Sequence, residues 1–534
     1  MRSPDTDASS RSVPHFRVAV VGGGPVGLTA ANLLAARGIQ VVLIERNAST
    51  SDDAKAISMD AESVRALYQC GLGDRVRDIV LPGTGVRFHD RAGRRLFQAR
   101  GTGPYVYGYA VKSQFSQPEL ERTLLDSLRD RPEADIRLST EVVSLTQSGK
   151  EVTLTLRTRD GTDTDELSAD YVIGCDGGRS TVRRDCGIPM SGRSFDEVWL
   201  VVDTLDDHHD DRCSMHFGDP ARPRVIVPGR AGRCRYEFRL RPGEGVAGMD
   251  PDFALVQRLL APYRDIKPEQ VERAVTYRFH ALLADRWQDG RVFLAGDSAH
   301  MMPPFAGQGL NSGVRDVANL CWKLALVADG TAQAGLLDTY ESERRPHADV
   351  TVMASVRQGQ IMMTTHRGAA AARDVAVRAL LRLPKAGAYL RHLGYLPRPR
   401  FAEGFVVPGT SPLIGRALDQ PRIQHPDGSE PRLDSVLGDD FALLGIDTSE
   451  DDWRSAIEAL PSLAWRELDV VLGDRRAREG GPRRAVGDAD GELERLLGPG
   501  TGSFVLLRPD RYVAAVFTAA EAPAVARALR AHLN

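Results

Sequence analysis

Three separated stretches of this chain bring glycines and carboxylates together in arrangements that can hold a phosphorylated, hydroxyl-rich ligand. In the first, Val18-Ala-Val-Val21 runs into Gly22-Gly-Gly24-Pro25-Val-Gly27, and the apolar run Val41-Val-Leu-Ile44 ends at Glu45. The pattern reads as strand, tight turn, helix and second strand. Pro25 suits the first helical turn, where a missing N–H costs nothing. Gly22 permits the turn, Gly24 lets backbone approach a pyrophosphate, and Gly27 lets the helix lie close to the strand. The free N–H groups and positive dipole end of that helix favour phosphate. Glu45 stands 18 residues past Gly27, where a carboxylate can accept hydrogen bonds from adenosine ribose hydroxyls. The alternative is a glycine-rich turn with no ligand.

The second stretch is Tyr171-Val-Ile-Gly-Cys-Asp176-Gly177, and the third is Val292-Phe-Leu-Ala-Gly296-Asp297, running on to Pro303-Pro304 and Gly307-Gln-Gly309-Leu-Asn311. Asp176 and Asp297 each end a buried strand, the edge at which α/β proteins bind ligands. At Asp297 a carboxylate can accept hydrogen bonds from sugar-alcohol hydroxyls such as a ribityl chain. Pro303 and Pro304 stiffen the segment after it. Gly307 and Gly309 then allow close backbone approach before a helix opens near Gln308. Such a helix start stabilises the negative charge of a reduced flavin ring. Together the three stretches indicate flavin adenine dinucleotide, FAD.

These residues need a scaffold, and the rest of the chain supplies its outline. At 534 residues it is long enough for two or three domains. Its 42% hydrophobic and 26% charged residues are those of an ordinary soluble protein. A net charge of −3 provides no field to attract nucleic acid or an anionic membrane. Val18 to Ala36 is uncharged, but its glycines and prolines make it a βαβ unit and not a membrane span. Residues 1–14 are polar and read as a disordered tail. The six cysteines are scattered without C-x-x-C spacing, which fits a reduced, cytoplasmic protein.

The expected fold class is α/β. Residues 15–190 alternate strands and helices, as in a Rossmann-like FAD-binding domain with a parallel sheet. From 191 to 279 come strands without helices, an inserted antiparallel-sheet domain for substrate. The chain returns to the first domain over 280–400, with a long helix at about 308–328. Pro397, Pro399, Pro408 and Pro412 mark a linker. Residues 413–534 resemble a thioredoxin-like domain, and with no cysteine beyond Cys321 it cannot do dithiol chemistry. A structural or dimer-supporting role is expected there, so a homodimer is open.

The motifs resemble those of the class A flavoprotein monooxygenases, the phenol hydroxylase-like group, with the strongest likeness to 3-(3-hydroxyphenyl)propionate hydroxylases. The likeness extends through Asp219-Pro-Ala-Arg-Pro223, Tyr236-Glu-Phe238, Asn319-Leu-Cys-Trp-Lys-Leu-Ala-Leu326 and Arg508-Pro-Asp-Arg511, covering about residues 17 to 517. It implies that Gly22, Gly24, Gly27, Glu45, Gln117, Asp176, Asp297, Gly307, Gly309, Leu310 and Asn311 line FAD. Pro25, Arg46, Lys55, Gly296 and Pro303 complete the expected cofactor set. Two positions depart from the family pattern: Lys55-Ala-Ile-Ser58 stands for Arg-Ala-x-Gly, and Lys112 stands where relatives often have arginine. Lysine pairs with phosphate without the planar fork of arginine.

The resemblance further implies that NADPH or NADH reduces FAD, that O2 adds at flavin C4a, and that the resulting hydroperoxide hydroxylates a phenolic ring. No metal is expected, because flavin activates oxygen itself. The run Asp206-Asp-His-His-Asp-Asp211 reads as a polar loop and not a ligand set. For the aromatic substrate, Pro304 and Phe305 are candidate pocket walls. Arg224 could take a carboxylate bidentately, and His216, Tyr236 or Asp60 could accept the phenol proton. Competing readings are a tailoring hydroxylase of a polyketide or heteroaromatic compound, and a flavin reductase or oxidase without hydroxylation. A non-catalytic flavin-binding or interaction module is a fourth reading.

Overall fold

Val18–Val21 and Val41–Ile44 are buried at every position in the computed structural model, the pattern of parallel strands covered on both faces. The structure describes residues 13–533 apart from 54, 100–105, 159–160, 162–163, 210–211, 426, 462, 464, 472–483 and 498–501. Most of the tail expected at 1–14, and Asp210 and Asp211 of the polar loop, therefore lie outside the described residues.

The first sheet runs in the order Gln288–Asp289, Val292–Leu294, Thr164–Gly174, His15–Val21, Val41–Ile44, Ala134–Arg137. Its four central pairings are parallel. Helix Pro25–Ala35 lies beside Gly309–Ala328 and Gln117–Arg129. Gly27 is required where the helix lies against the turn after His15–Val21, since a Cβ there would strike the Gly22 carbonyl.

Two expectations are corrected. The sheet is not purely parallel, because the hairpin Thr140–Gln147 and Val152–Thr158 extends it antiparallel to Thr164–Gly174. The chain also leaves this sheet after Ile44. Ser58–Asp60, Lys112–Phe115 and Val80–Pro82 form a small sheet, and Val86–His89 with Arg95–Ala99 join the second large one.

That second sheet is ordered His300–Met301, Val271–Ala284, Met190–Thr204, Cys234–Arg239, Arg224–Pro228, Ser214–Phe217, Val86–His89, Arg95–Ala99. It is antiparallel except where Ser214–Phe217 meets Val86–His89. Strand Val271–Ala284 runs past the boundary expected at 279, and Met190–Thr204 spans the one at 191. Period-two alternation gives the sheet two different faces. Leu200, Val202, Ile226, Tyr236 and Phe238 pack with helix Phe253–Leu260, whereas Trp199, Val225, Val227 and Phe279 face the other way.

The C-terminal sheet is ordered Ile423–Gln424, Arg484–Asp488, Trp465–Val471, Phe441–Ile446, Ser503–Leu507, Val513–Thr518. Phe441 and Leu443 face helices Glu450–Ala459 and Ala522–Leu533, while Ala442 and Leu444 face the opposite core. A buried charge network ties this unit to the first. Arg508 donates to both oxygens of Glu343 at 2.8 Å and to Asp510 at 2.6 and 2.9 Å. Lys323 and Asn319 donate to the same Glu343 at 2.9 and 2.6 Å.

Replacing Arg508 by Ala would leave Glu343 and Asp510, two buried carboxylates, facing one ammonium. Removing one partner of a buried pair costs about 3–5 kcal/mol. The Arg508→Ala protein is expected to unfold at a clearly lower temperature, checked by a thermal melt. An unchanged midpoint would show that this network contributes little to the fold.

Candidate active site

The strand ends, the Gly309–Ala328 helix start and one face of the second sheet enclose a cavity of about 1100 Å³. At one end Gly22, Gly23, Gly24 and Pro25 line it beside Glu45, Arg46 and Lys55. Glu45 Oε2 accepts from Gly23 N at 2.6 Å and Oε1 from Asn47 N at 2.9 Å, which fixes the carboxylate at the turn. Gln117 Oε1 accepts from Ala56 N at 2.6 Å, and its amide donates to Glu121 at 2.8 Å. Gln117 thus pins the loop bearing Lys55 to helix Gln117–Arg129.

Asp176 and Asp297 stand further in. Asp176 Oδ2 caps helix Thr181–Asp185, accepting from Thr181 N at 2.6 Å, while Oδ1 is buried with no partner. Burial raises its pKa. Asp297 presents its side chain to the cavity, with no hydrogen-bond partner among the described residues. The side chain is exposed to the open cavity, and desolvation by the surrounding walls raises its pKa, opposed by His300 and Lys55. Gly307, Gly309, Leu310 and Asn311 form the helix start on the same wall. Asn311 is locked, accepting from Asp60 N at 3.0 Å and donating to Gly307 O at 2.7 Å.

The Asp297 carboxylate, the free Oδ1 of Asp176, a glycine turn open to the cavity and a helix N-terminus suit a pyrophosphate flanked by hydroxyl-bearing chains. The donors and acceptors therefore fit FAD. Gly27, Gly296 and Pro303 do not line the cavity; Gly27 packs the helix, and Gly296 N donates to buried Asp316 at 3.1 Å.

The far end is built on the second sheet. Phe305 lies edge-on to Trp199 and Phe279, with ring centroids 5.5 and 5.4 Å away. Its ring fills the space that a side chain at Gly359 would take. Pro304 lies beside it on the wall. His216 also lines this end, and burial, then Lys112 and His89, hold it down to about 3. A neutral imidazole of that kind can hydrogen bond but is a weak base.

Three expected roles are corrected. Arg224 and Tyr236 lie on the opposite face of the sheet. Arg224 pairs with Asp219 at 3.0 Å and lies over the Phe217 ring, and the Tyr236 hydroxyl donates to Asp207 at 3.0 Å. Asp60 does reach the cavity, but it caps the helix beginning at Ala61, accepting from Ser63 N at 3.0 Å, and is paired with Arg315, so it is not a free base. The residues that do face inward are their strand neighbours Val225, Val227, Arg235 and Glu237, joined by Arg273, Tyr277 and Phe279. Sequence reasoning missed these; the signal was the other parity of the same strands. Arg235 is paired with Asp203 at 2.7 Å. Asp207, His209 and Cys234 lie close enough to hold a metal ion, but the Asp207 carboxylate is already taken by Arg264 at 3.0 Å, Tyr236 and Thr204.

A family model described as FAD binding domain matches residues 15–355, and one described as HcaD C-terminal domain matches 415–532. The 3-(3-hydroxy-phenyl)propionate/3-hydroxycinnamic acid hydroxylase of Burkholderia cenocepacia (strain HI2424) is 36% identical, over 96% of each chain. The hydroxylase of the same name from Mycobacterium sp. (strain JLS) is 34% identical, over 98% of this chain and 93% of its own. The chain belongs to the FAD-dependent aromatic monooxygenases. Among solved structures, the flavin-dependent monooxygenase PieE, in complex with FAD and substrate, superposes with a TM-score of 0.82 at 24% identity, covering 97% of this chain and 99% of PieE. Aklavinone-11 hydroxylase, with FAD and aklavinone, gives 0.78 at 25% identity and the same coverage. This monooxygenase therefore binds FAD and takes reducing equivalents from NAD(P)H. No described helix is long and apolar enough to cross a membrane.

Two measurements test the site. A charge-assisted hydrogen bond is worth about 1.5–3 kcal/mol, or roughly 10- to 100-fold in affinity. Asp297→Ala is expected to raise the FAD dissociation constant by that factor, read by flavin fluorescence, while Asp196→Ala, on the surface away from the cavity, leaves it unchanged. Equal constants would remove Asp297 from the cofactor site. The second concerns acid. His216, His89 and His347 are all lowered, chiefly by burial. The unfolded chain protonates these imidazoles near pH 6.5, whereas the folded chain resists. Stability is thus fully present above about pH 6.5 and lost progressively as pH falls toward 3. His216→Gln should flatten this acid limb in urea melts at pH 7 and pH 5; an unaltered slope would contradict the burial argument.

Proposed function

We propose that this monooxygenase hydroxylates a phenolic acid of the kind named in its relatives, 3-(3-hydroxyphenyl)propionate or 3-hydroxycinnamic acid. The observation that carries this reading is the meeting, in one cavity, of the Gly309–Ala328 helix start with the aromatic wall of Phe305, Phe279 and Tyr277. Once bound and reduced, FAD supplies the oxygen-activating chemistry. The chain's own residues hold and shield it.

In this reading Gly22, Gly24 and Pro25 cradle the pyrophosphate, with Arg46 and Lys55 adding positive charge. Glu45 takes the ribose hydroxyls of the adenosine, Asp297 those of the ribityl chain, and Asp176 Oδ1 a further donor. Gln117 holds the Lys55 loop in place. The backbone from Gln308 to Asn311 turns free N–H groups toward the ring, where they stabilise negative charge. Pro304 and Phe305 exclude water and fix the plane of the substrate. His216, kept neutral, hydrogen bonds without taking up a proton.

From Arg484–Asp488 onward the C-terminal sheet has two parallel pairings followed by two antiparallel ones, with Ile423–Gln424 added antiparallel at the edge, which supports a thioredoxin-like arrangement. With no cysteine beyond Cys321, its role is to brace the first domain. A larger polycyclic substrate is the second reading. Its support is the reach of the cavity to Leu393, Tyr395 and Leu396, and the aklavinone bound by a similar hydroxylase.

A panel of phenolic acids, simple phenols and polycyclic phenols, scored by stimulated NAD(P)H oxidation with product and peroxide measured together, separates these readings. Strong stimulation by phenylpropanoid acids is expected, with most reducing equivalents recovered as hydroxylated product. Phe305→Ala should lower the product-to-NAD(P)H ratio and release peroxide while keeping near-normal FAD content. A fully coupled variant would exclude Phe305 as the dry wall, and no stimulation by any aromatic would favour a reductase or oxidase.

A further inference from the structure

The cavity wall near the second sheet carries a lysine with no carboxylate partner among the described residues. Lys112, on strand Lys112–Phe115, lines the cavity together with Ser214 and His216. Its Nζ donates to Ser214 Oγ at 2.8 Å, and no carboxylate among the described residues lies within ion-pair distance. Burial lowers it to about 8, weakly opposed by Cys213. An ammonium has three N–H donors, and a single hydroxyl leaves two of them unused.

Lys112 is half-buried on the cavity wall, whereas the fully buried Lys323 shows what a structural lysine looks like here. Lys323, also lowered to about 8 and chiefly by burial, donates to Glu343 and Asn319, both at 2.9 Å. Leaving a buried charge without such partners is costly. At Lys112 the cost falls on a surface that faces the cavity. Beside it, His216 Nδ1 is buried and unpartnered, a second polar atom without a protein mate.

We propose that Lys112, with Ser214 and His216, forms the receptor for an oxyanion of the aromatic substrate, its phenolic oxygen or a side-chain carboxylate. The inference rests on the hydroxylase reading and adds a recognition element to it. Lysine acts as a point charge here and sets no planar geometry. It therefore holds one end of the substrate while the aromatic wall at Phe305 orients the ring.

The test uses the FAD-loaded enzyme with Lys112→Met, Lys112→Gln and Lys112→Arg, and FAD content measured for each. The probes are 3-(3-hydroxyphenyl)propionate, its neutral amide, and 3-phenylpropionate, which lacks the phenol. Losing a charge-assisted contact should raise KM for the phenolic acid about 10- to 100-fold. FAD content should be retained, kcat should change much less, and Lys112→Arg should recover part of the loss. If the carboxylate is the partner, the wild type already binds the amide weakly and Lys112→Met weakens it no further. If the phenolic oxygen is the partner, acid and amide lose equally.

Unchanged KM for acid and amide in FAD-loaded Met and Gln variants would overturn the proposal. So would loss of FAD from both with retention by Lys112→Arg, which would assign the lysine to the cofactor. If no aromatic stimulates the wild type, the hydroxylase reading fails separately. Anion binding is then read from the change in flavin absorbance on adding 3-phenylpropionate and the phenolic acid. Wild-type binding lost in Lys112→Met upholds the receptor; equal binding, or none to the wild type, overturns it.

Discussion

Asp316 is buried and accepts hydrogen bonds from three residues on two segments of the chain. Gly296 N and His300 Nε2 reach one oxygen at 3.1 and 2.7 Å, and Arg344 reaches the other at 2.9 and 3.0 Å. Burial alone would raise its pKa, but His300 and Arg344 overcome that and keep the carboxylate charged. The consequence is geometric. Asp297 follows Gly296 directly, so the carboxylate offered to the cavity is positioned by one that never reaches it. Successive turns of the same helix repeat the device: Arg315 pairs with Asp60 and Glu62, and Asn319, Trp322 and Lys323 reach Glu343 and Asp510. Buried pairs of this kind add little net stability compared with apolar packing. What they provide is a single register for a helix whose first turn must meet a ligand.

The same helix explains why the C-terminal unit bears on a site to which none of its described residues contributes lining. Tyr512 hydrogen bonds Glu62, which holds Arg315 at 2.6 Å, and Arg315 in turn holds Asp60 at the cavity wall. The proline-containing segment around 397–412 reads in sequence as a linker, yet Phe401, Phe405 and Val406 are buried in the C-terminal cores. Those aromatic anchors, more than the prolines, determine how the unit sits.

Legibility in the sequence followed the range of each requirement. Gly22, Gly24, Glu45, Asp176 and Asp297 all lie on the cavity, and each was readable because its constraint is local: a turn, a strand end, a helix start. Arg224 and Tyr236 misled for a different reason. Alternation says that neighbours on a strand face opposite ways, but not which way is inward, so Arg235 and Glu237 were hidden behind Tyr236. The recruitment of Val86–Ala99 into the second sheet was equally invisible, because its pairing with Ser214–Phe217 spans more than a hundred residues of intervening chain. In the C-terminal unit the strand Arg484–Asp488 carries too few apolar residues to announce itself.

The two faces of the second sheet show where selection for folding stops. On the side covered by Phe253–Leu260, inward positions are Leu200, Val202, Ile226 and Phe238, as packing requires. On the cavity side the equivalent rows hold Arg235, Glu237 and His216 among Val225, Val227 and Phe279. Glu237 is buried, its pKa raised by desolvation against the pull of Arg235. A sheet built only for stability would place aliphatic side chains there, since burying charge costs desolvation even when it is paired, and patterning departures of this kind cluster at functional sites. In the proposed hydroxylase reading, the apolar members keep water away from the reacting ring and the polar ones give the substrate a preferred orientation. A face that mixes the two is therefore less stable than its partner and better suited to holding one aromatic molecule in one pose.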